Sequence, residues 1–373
     1  MQSTIFENAT IKGSTSQKAV SDKLLTWFDS HGRKNLPWQQ NKTPYRVWIS
    51  EIMLQQTQVS TVIPYYQKFM RSFPDIITLA NSTEDEVLNH WSGLGYYARA
   101  RNLHKAAKLV RDEYAGDFPV EFDNVLALPG IGRSTAGAIL SLSLQQRHVI
   151  LDGNVKRVMS RLHCVEGWYG HTKVQNQLWA VAENHTPEAR VSDYNQAIMD
   201  LGATLCVRGK NAQCQACPLM EDCAAYQSDA VVEFPHSKPK KIIPVRKTRM
   251  LMFCNEDNDV FIEKRPPAGI WGGLWSFPQV DDEQNLKDWC ETNMPYEVSD
   301  SVCWGEVRHT FSHFHLDITP VLLKVKNHTN IVMEEKAAVW YKLGQNQDRG
   351  YATPVMKLLQ KLQIELLQTE MGT

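Results

Sequence analysis

Two carboxyl groups in this chain stand in settings that suit opposite halves of one reaction. Glu51 lies in an apolar helical run, Val-Trp-Ile-Ser-Glu-Ile-Met-Leu at 47–54. If it faces a cleft, desolvation raises its pKa and keeps it protonated, as a general acid requires. Asp152 follows an apolar run and precedes a helical segment, whose backbone N–H groups are expected to hold it ionised. Both have ordinary alternatives, since a helical glutamate usually faces solvent and Asp152 is a good helix N-cap.

An acid and an anion whose pKa values are separated by their environments form the pair used in glycoside cleavage. Cleavage of an N-glycosidic bond needs both groups. Glu51 would protonate the departing base, and Asp152 would stabilise the oxocarbenium-like sugar. The pair therefore predicts chemistry at a nucleoside.

A glycine-rich turn upstream of Asp152 is suited to binding a phosphate. Residues 128–132 read Leu-Pro-Gly-Ile-Gly and lead into an Ala/Ser/Leu-rich run at 135–144, which predicts a buried helix. Gly130 and Gly132 leave backbone N–H groups unhindered at the positive end of that helix. A phosphate-binding turn with a carboxylate downstream indicates chemistry on a nucleic-acid backbone or base. Such turns between helices often have only a structural role.

Four of the eight cysteines are concentrated in one loop with the spacing C-x7-C-x2-C-x5-C, namely Cys206, Cys214, Cys217 and Cys223. Four thiols so close together predict a metal centre, either structural zinc or a 4Fe–4S cluster. Zinc sites usually have two separated C-x2-C knuckles, so one compact loop favours a structural 4Fe–4S cluster. The isolated cysteines are expected to be small buried hydrophobes; they are Cys164, Cys254, Cys290 and Cys303.

Composition limits how the chain attracts nucleic acid. A chain of 373 residues predicts two domains, and its formal net charge of −1 gives no global field. Any electrostatic footprint must be local, and the candidates are Arg99, Arg101, His104, Lys105, Lys108, Lys156, Arg157 and Arg161. The sequence has no apolar run of transmembrane length and no signal-peptide core at its N-terminus, so we expect a cytoplasmic, reducing location.

The pattern predicts an N-terminal helical part. Residues 1–18 form a polar extension, and apolar residues recur at helical spacing from 19 to 226. Thr43 and Pro44 are typical of an N-cap and first-turn proline, and should open the helix that carries Glu51.

The C-terminal part has a different character. Residues 227–247 combine prolines with lysines and arginines, which predicts an extended basic linker. Short strand-like runs and two helical patches, at 285–292 and 354–367, then predict a small α+β domain at 248–367.

Together these features resemble the adenine DNA glycosylases (the MutY family) of the helix-hairpin-helix superfamily. The resemblance covers roughly residues 20–366. It rests on residues 36–38, 50–57, 93–102, 128–144, 151–158 and 195–223, and on C-terminal segments. It implies a multidomain protein with an all-α helix-hairpin-helix glycosylase domain, a 4Fe–4S loop at 206–223 and a small α+β Nudix-like domain. The implied function is base-excision repair by a monomer that removes adenine mispaired with 8-oxoguanine or guanine in double-stranded DNA.

The resemblance implies the roles of the catalytic residues. Glu51 would be the general acid for adenine, and Asp152 would stabilise the sugar cation or capture it covalently before water attacks. Asn154 would support Asp152. Trp38 and Gln196 would line the adenine pocket.

The same resemblance implies contacts with DNA. Gln55 and Tyr96 would fill or wedge the duplex where the base is flipped out, and Gly130, Gly132 and Ser134 would belong to the hairpin that holds the backbone. Endonuclease III-like relatives place a nucleophilic lysine where this chain has Ser134. Because serine cannot form a Schiff base with the sugar, the resemblance implies a monofunctional glycosylase.

Two departures qualify the resemblance. The family usually has six residues between the first two cysteines of its cluster loop, whereas seven separate Cys206 from Cys214. Residues 260–278 resemble the opening of a Nudix hydrolase, but the Nudix box that should follow is missing. Because pyrophosphate cleavage needs clustered carboxylates, this domain is expected to bind and not to hydrolyse.

A turn in the Nudix-like domain matches the family motif that contacts 8-oxoguanine. Its residues are Phe311, Ser312 and His313. Ser312 can donate and accept hydrogen bonds, and Phe311 could probe stacking. The ordinary alternative is a β-turn with a buried phenylalanine.

Other functions remain open at this point. One is a bifunctional glycosylase and lyase for oxidised pyrimidines, against which Ser134 argues. Another is a catalytically silent iron–sulfur protein that binds DNA, which would not need both Glu51 and Asp152. A Nudix pyrophosphatase is disfavoured by the missing box.

Overall fold

The computed structural model describes residues 17–239, 242–326, 338–345 and 349–371. By their contacts these residues form two compact units: unit 1 lies within residues 1–80 and 105–240, and unit 2 lies within residues 81–104 and 241–373. Most of the predicted polar extension and linker residues 240 and 241 lie outside the described residues. Within the described chain, no helix is long and apolar enough to span a membrane.

Helices make up the chain before the linker, as the apolar spacing predicted. In chain order they are α1 (Gln17–His31), α2 (Pro44–Leu54), α3 (Val59–Ser72), α4 (Ile76–Asn81), α5 (Glu84–Trp91), α6 (Ala98–Glu113), α7 (Phe122–Ala127), α8 (Arg133–Leu144), α9 (Gly153–Leu162), α10 (Thr172–His185), α11 (Val191–Thr204) and α12 (Ala224–Gln227). Helix α8 packs between α2 and α11, and α11 also contacts α9 and α1. This packing brings the N-terminal turns of α8 and α9 to the same side of unit 1 as α2.

Local capping explains where two of these helices begin. The Thr43 side chain accepts a hydrogen bond from the Arg46 N–H, with Pro44 at the first helical position of α2, as predicted. Asp152 caps α9 by accepting from the N–H groups of Asn154 and Val155. The prediction that Asp152 is a helix N-cap is therefore confirmed. This capping role is compatible with a second role in catalysis.

The predicted glycine hairpin joins α7 to α8. Gly130 has φ of +82°, a conformation that favours glycine. Gly132 is the N-cap of α8, and a Cβ added there would meet no atom within 4 Å. The predicted buried helix is confirmed as α8. Gly137 in α8 allows a close approach, since a Cβ there would lie 2.6 Å from the Val149 carbonyl oxygen.

Unit 2 is built around an eight-stranded sheet. Its strands are β1 (Val245–Cys254), β2 (Val260–Lys264), β3 (Trp275–Ser276), β4 (Gln279–Asp281), β5 (Glu297–Cys303), β6 (Val307–Thr310), β7 (His315–Lys326) and β8 (Ala338–Tyr341). The order is β3-β2-β1-β7-β5, with β4 on β1, β6 on β7 and β8 on β2. Strands β1 and β7 pair in parallel, and the other pairs are antiparallel.

Two helices, α13 (Leu286–Asn293) and α14 (Thr353–Met371), complete the predicted α+β fold. Residues 81–104 also belong to unit 2 by contact. The Lys264 ammonium lies 2.8 Å from the Asp85 carboxylate, and the Tyr97 hydroxyl donates to the Tyr351 carbonyl at 3.0 Å. Helical periodicity marks α5 as a helix but does not reveal on which neighbour it packs.

The isolated cysteines are thiols with different environments. Cys254 and Cys290 are buried, as expected. Cys303 is exposed on β5 and Cys164 is only half-buried, so the prediction of burial is wrong for Cys303. Strand β5 is exposed along most of its length, which explains why a small apolar residue there is not covered.

Candidate active site

One cleft of about 400 Å³ in unit 1, open to solvent, contains seven of the residues singled out in the sequence. They are Trp38, Glu51, Gln55, Ser134, Asp152, Asn154 and Gln196. They come from the turn before α2, from α2 and its C-cap, from the start of α8, from the start of α9, and from α11. The hairpin glycines Gly130 and Gly132 precede Ser134 and are exposed.

Glu51 lies on α2 with its carboxyl group facing this cleft. Burial raises its pKa to about 8, and the nearby charge of Asp152 adds to the shift. The carboxyl group is therefore mostly protonated at neutral pH. This is the protonation state that a general acid needs before the reaction begins.

Asp152 is held by the first turn of α9. Its Oδ1 accepts from the Val155 N–H at 2.8 Å and from the Asn154 N–H at 3.1 Å. Burial nevertheless raises the pKa of Asp152, while these bonds and the charge of Arg157 lower it. The sequence predicted the cap bonds, which favour the ionised form of Asp152, but it did not predict the burial that opposes them.

A hydrogen-bonded chain extends from Asp152 along α9. The Asn154 side-chain amide donates to Asp152 Oδ2 at 3.3 Å. Arg157 donates from Nη2 to Asn154 Oδ1 at 2.9 Å and from Nε to the Cys206 carbonyl at 2.6 Å. One arginine thus connects the amide beside the carboxylate to the first residue of the cysteine loop.

Another part of the cleft wall carries a second, partly buried network. Gln196 donates from Nε2 to Asp200 Oδ1 at 2.9 Å. Arg33 binds the same carboxylate through its backbone N–H and its guanidinium, with contacts of 2.6 to 2.9 Å. Because a carboxylate only accepts, the amide nitrogen of Gln196 must face Asp200 and its carbonyl oxygen remains available to a donor.

Trp38 is buried beside this wall and packs edge-on against Tyr66, with ring centroids 5.5 Å apart. Sequence reasoning missed Arg33 and Asp200. The four-residue spacing of Gln196 and Asp200 on α11 was the available signal, but nothing local indicated that Arg33 would reach them.

Ser134 has a structural bond as well as a place in the cleft. Its hydroxyl oxygen accepts from the Leu151 N–H at 2.9 Å. This bond joins the start of α8 to the residue before Asp152. A lysine at this position could not accept that bond, since an ammonium group has only donors.

The remaining candidates for DNA contact lie in unit 2. Tyr96 is 50% exposed at φ of +49°, with the Arg99 guanidinium 5.6 Å from its ring. Ser312 and His313 are exposed in the turn between β6 and β7. Phe311 is half-buried and stacks on Phe314, with ring centroids 4.6 Å apart, so its ring is already partly engaged.

Several basic residues proposed as a local footprint are buried. Arg157, Arg161 and His104 are 6%, 2% and 2% exposed. The first two bind backbone carbonyls around the cysteine loop, and His104 contacts the Ser82 carbonyl. These side chains serve internal contacts, and helical periodicity cannot distinguish such residues from a solvated basic face.

The four clustered cysteines line one small cavity together with Arg161. Burial raises the pKa of Cys217 to about 12 and of Cys223 to about 11, with a further contribution from the neighbouring thiolates. Four thiolates in this place therefore need a cationic centre to offset their repulsion. The donor set fits such a centre.

Among the described residues, no group of three or more His, Cys, Asp or Glu side chains is arranged to hold a metal ion.

Comparison with known proteins first defines the class. Residues 49–184 match the family model described as HhH-GPD superfamily base excision DNA repair protein, and residues 249–361 match a NUDIX domain. A thermostable thymine-DNA glycosylase structure is similar at 26% identity and a TM-score of 0.50, covering 57% of this chain and 97% of that one. The helical fold is thus that of a base-excision DNA glycosylase.

The sequence relatives narrow this class. The chain is 42% identical to an adenine DNA glycosylase of Buchnera aphidicola, over 91% of this chain and 97% of the relative. It is 31% identical to the adenine DNA glycosylase of Homo sapiens, over 95% and 76%. The chain belongs to the adenine DNA glycosylase family.

Proposed function

We propose that this chain removes adenine paired with 8-oxoguanine or guanine in double-stranded DNA, by hydrolysis and without cutting the strand. Membership of the adenine DNA glycosylase family supports adenine excision in base-excision repair. The proposal that the bond is cleaved by hydrolysis alone is supported mainly by one observation. A single cleft contains Glu51, Asp152 and Ser134.

The two carboxyl groups divide the work of breaking the bond between C1′ and the base. Glu51 gives its proton to a ring nitrogen of adenine, so the base leaves as a neutral molecule. The electron pair of the broken bond goes with adenine and leaves a cationic sugar, which ionised Asp152 stabilises or captures. Water then adds at C1′ and returns a proton to Glu51.

Gln196 is suited to selecting adenine. Asp200 fixes its amide so that its carbonyl oxygen can accept from the exocyclic amino group of the base. Guanine has a carbonyl at that position and would face this oxygen with a second acceptor. A site built around such a bond rejects the wrong base because buried polar groups are left unpaired. Trp38 supplies an apolar wall against the flipped base.

Binding to DNA is assigned to two groups of residues. The hairpin glycines Gly130 and Gly132 present backbone N–H groups to a phosphate at the start of α8, and Gln55 contacts the opened duplex near the cleft. Tyr96 is the exposed aromatic that wedges between bases. In unit 2, Ser312 reads 8-oxoguanine by hydrogen bonding, with Phe311 and His313 on either side of it in the chain. The protein acts as a monomer in the bacterial cytoplasm.

The proposed cofactor is one 4Fe–4S cluster held by Cys206, Cys214, Cys217 and Cys223. When bound, it organises the loop at 206–223 and takes no part in bond cleavage. Purified protein should be brown and contain iron. Elemental analysis that found one zinc and no iron would contradict the proposal.

The proposed function is tested by base release from two duplexes. One carries adenine opposite 8-oxoguanine, and the other carries thymine glycol. Adenine should be released, with strand cleavage only after alkali. Ser134→Lys should introduce some strand cleavage with a borohydride-trapped adduct, whereas Ser134→Ala should not. Cutting without alkali by the unmodified chain would show a bifunctional enzyme, and release of thymine glycol alone would favour the pyrimidine alternative.

A further inference from the structure

The first half of the segment expected to be a linker is docked on unit 1. We define the strap as residues 231–239, which follow α12 and contain no helix or strand. Val231, at its start, lines the same cavity as the four clustered cysteines. Phe234, near its middle, is 5% exposed. The strap therefore packs where an extended linker would be solvated.

One buried side chain ties the strap to the cysteine loop. Arg161 is 2% exposed, and its Nε donates to the Phe234 carbonyl at 2.9 Å. Its Nη1 donates to the Cys206 sulfur at 3.3 Å and to the Val207 carbonyl at 2.8 Å. The same guanidinium thus holds a cysteine ligand on one side and the strap backbone on the other.

Further contacts hold the outer part of the strap. The His236 ring lies 5.1 Å from the Phe234 ring, and its Nδ1 accepts from the Gly167 N–H at 3.3 Å. His236 Nε2 lies 3.2 Å from the Glu166 carboxylate. The Lys238 ammonium lies 5.7 Å from the Trp168 ring. These contacts continue past the cavity, so the strap is anchored at its middle and at its far end.

We infer that the strap clamps the cysteine loop through Arg161 and Val231, and that its release speeds the loss of the iron–sulfur centre. The inference rests on the proposed cluster. Release is a local opening, and the population of released conformations depends on the free energy of that opening. The buried ring of Phe234 and the Arg161 bond set most of this free energy for the strap.

The test compares the rate at which the purified full-length protein loses iron to excess EDTA, measured as iron retained after desalting. Phe234→Ala should lose iron roughly tenfold faster, the expected change in open population when one buried aromatic side chain is removed. His236→Gln, which removes only the outer contacts, should give about a threefold increase. Val232→Ala is the matched control, because this strap side chain is 57% exposed and should change nothing.

Limited proteolysis gives a second readout that does not depend on iron chemistry. Cleavage within the strap should accelerate in the same order, Phe234→Ala before His236→Gln, with Val232→Ala equal to the unmodified chain. If the variants retain iron as long as the control and resist protease equally, the strap is only a connector and the inference fails. If the unmodified protein contains no iron, the cluster proposal fails together with the inference.

Discussion

The cleft of unit 1 and the exposed turn of unit 2 use polar residues in opposite ways. In the cleft, Glu51 and Asp152 are half-buried, and burial raises the pKa of both. In the turn, Ser312 and His313 are exposed beyond the sheet edge. Bond cleavage needs groups whose protonation is altered by desolvation, whereas reading a base needs groups that a partner can reach. The two regions should therefore respond differently to substitution.

The largest effect is expected for Glu51→Gln, which removes the acidic proton and keeps the shape. Single-turnover adenine excision should fall about 100- to 10,000-fold while DNA binding is retained. The melting temperature is the control. The folded pKa of Glu51 is about 8 against an ordinary 4.5, so its contribution to stability is full below about pH 4.5 and lost as the pH rises to 8. The variant should therefore melt higher than the unmodified chain at pH 8 and equally at pH 4.5; a lower melting temperature would point to unfolding.

The same pKa predicts how excision depends on pH. Glu51 is protonated below about pH 8, so the rate should fall about tenfold per unit above that value. Glu51→Gln should show no such fall. If excision by the unmodified enzyme falls above pH 8 and excision by Glu51→Gln falls in the same way, the group that titrates is not Glu51.

A smaller effect is expected for Arg157→Gln. The variant loses the bonds that connect Asn154 to the cysteine loop, so the amide beside Asp152 is less well positioned. Excision should fall about tenfold, within the range that small misplacements cost, with little change in the KM for DNA. Arg208→Gln removes an exposed charge near the same loop and is the control; an equal loss there would indicate a general effect of charge.

Ser312→Ala is expected to have the smallest effect and a different signature. Removing one hydrogen bond to 8-oxoguanine should reduce the preference over guanine opposite adenine by about threefold to tenfold. Excision opposite guanine should be unchanged. Ser301→Ala, at an exposed serine on β5, is the control. Unchanged discrimination in Ser312→Ala would show that the hydroxyl does not read the lesion.

Local signals in the sequence predicted much of this architecture. Thr43 and Asp152 cap their helices through bonds to residues two or three positions later, so neighbouring residue types were sufficient. The hairpin and the two carboxyl groups of the cleft were also predicted from neighbouring residue types. Parts of the long strands β1 and β7 were also predicted, from short strand-like runs at 250–253, 316–319 and 321–323.

Features that depend on distant partners could not be predicted this way. Arg33 reaches Asp200 across 167 positions, and Arg161 reaches Phe234 across 73. Strand β3 has two residues and is recognised as a strand through its pairing with β2. The strap was predicted to be a linker because its two prolines and Lys238 are typical of one, although it also contains one buried phenylalanine. Composition indicates average solvation, whereas a single buried side chain decides where a segment packs.

The central claim is that Asp152 acts on the sugar and is not only a helix cap. Asp152→Asn separates these roles, because asparagine caps helices about as well as aspartate and the change costs at most about 1 kcal/mol. Single-turnover excision of adenine opposite 8-oxoguanine should fall by roughly the same 100- to 10,000-fold as in Glu51→Gln, with DNA affinity and melting temperature nearly unchanged. Near-normal excision by Asp152→Asn would contradict the account and leave Asp152 as a cap alone.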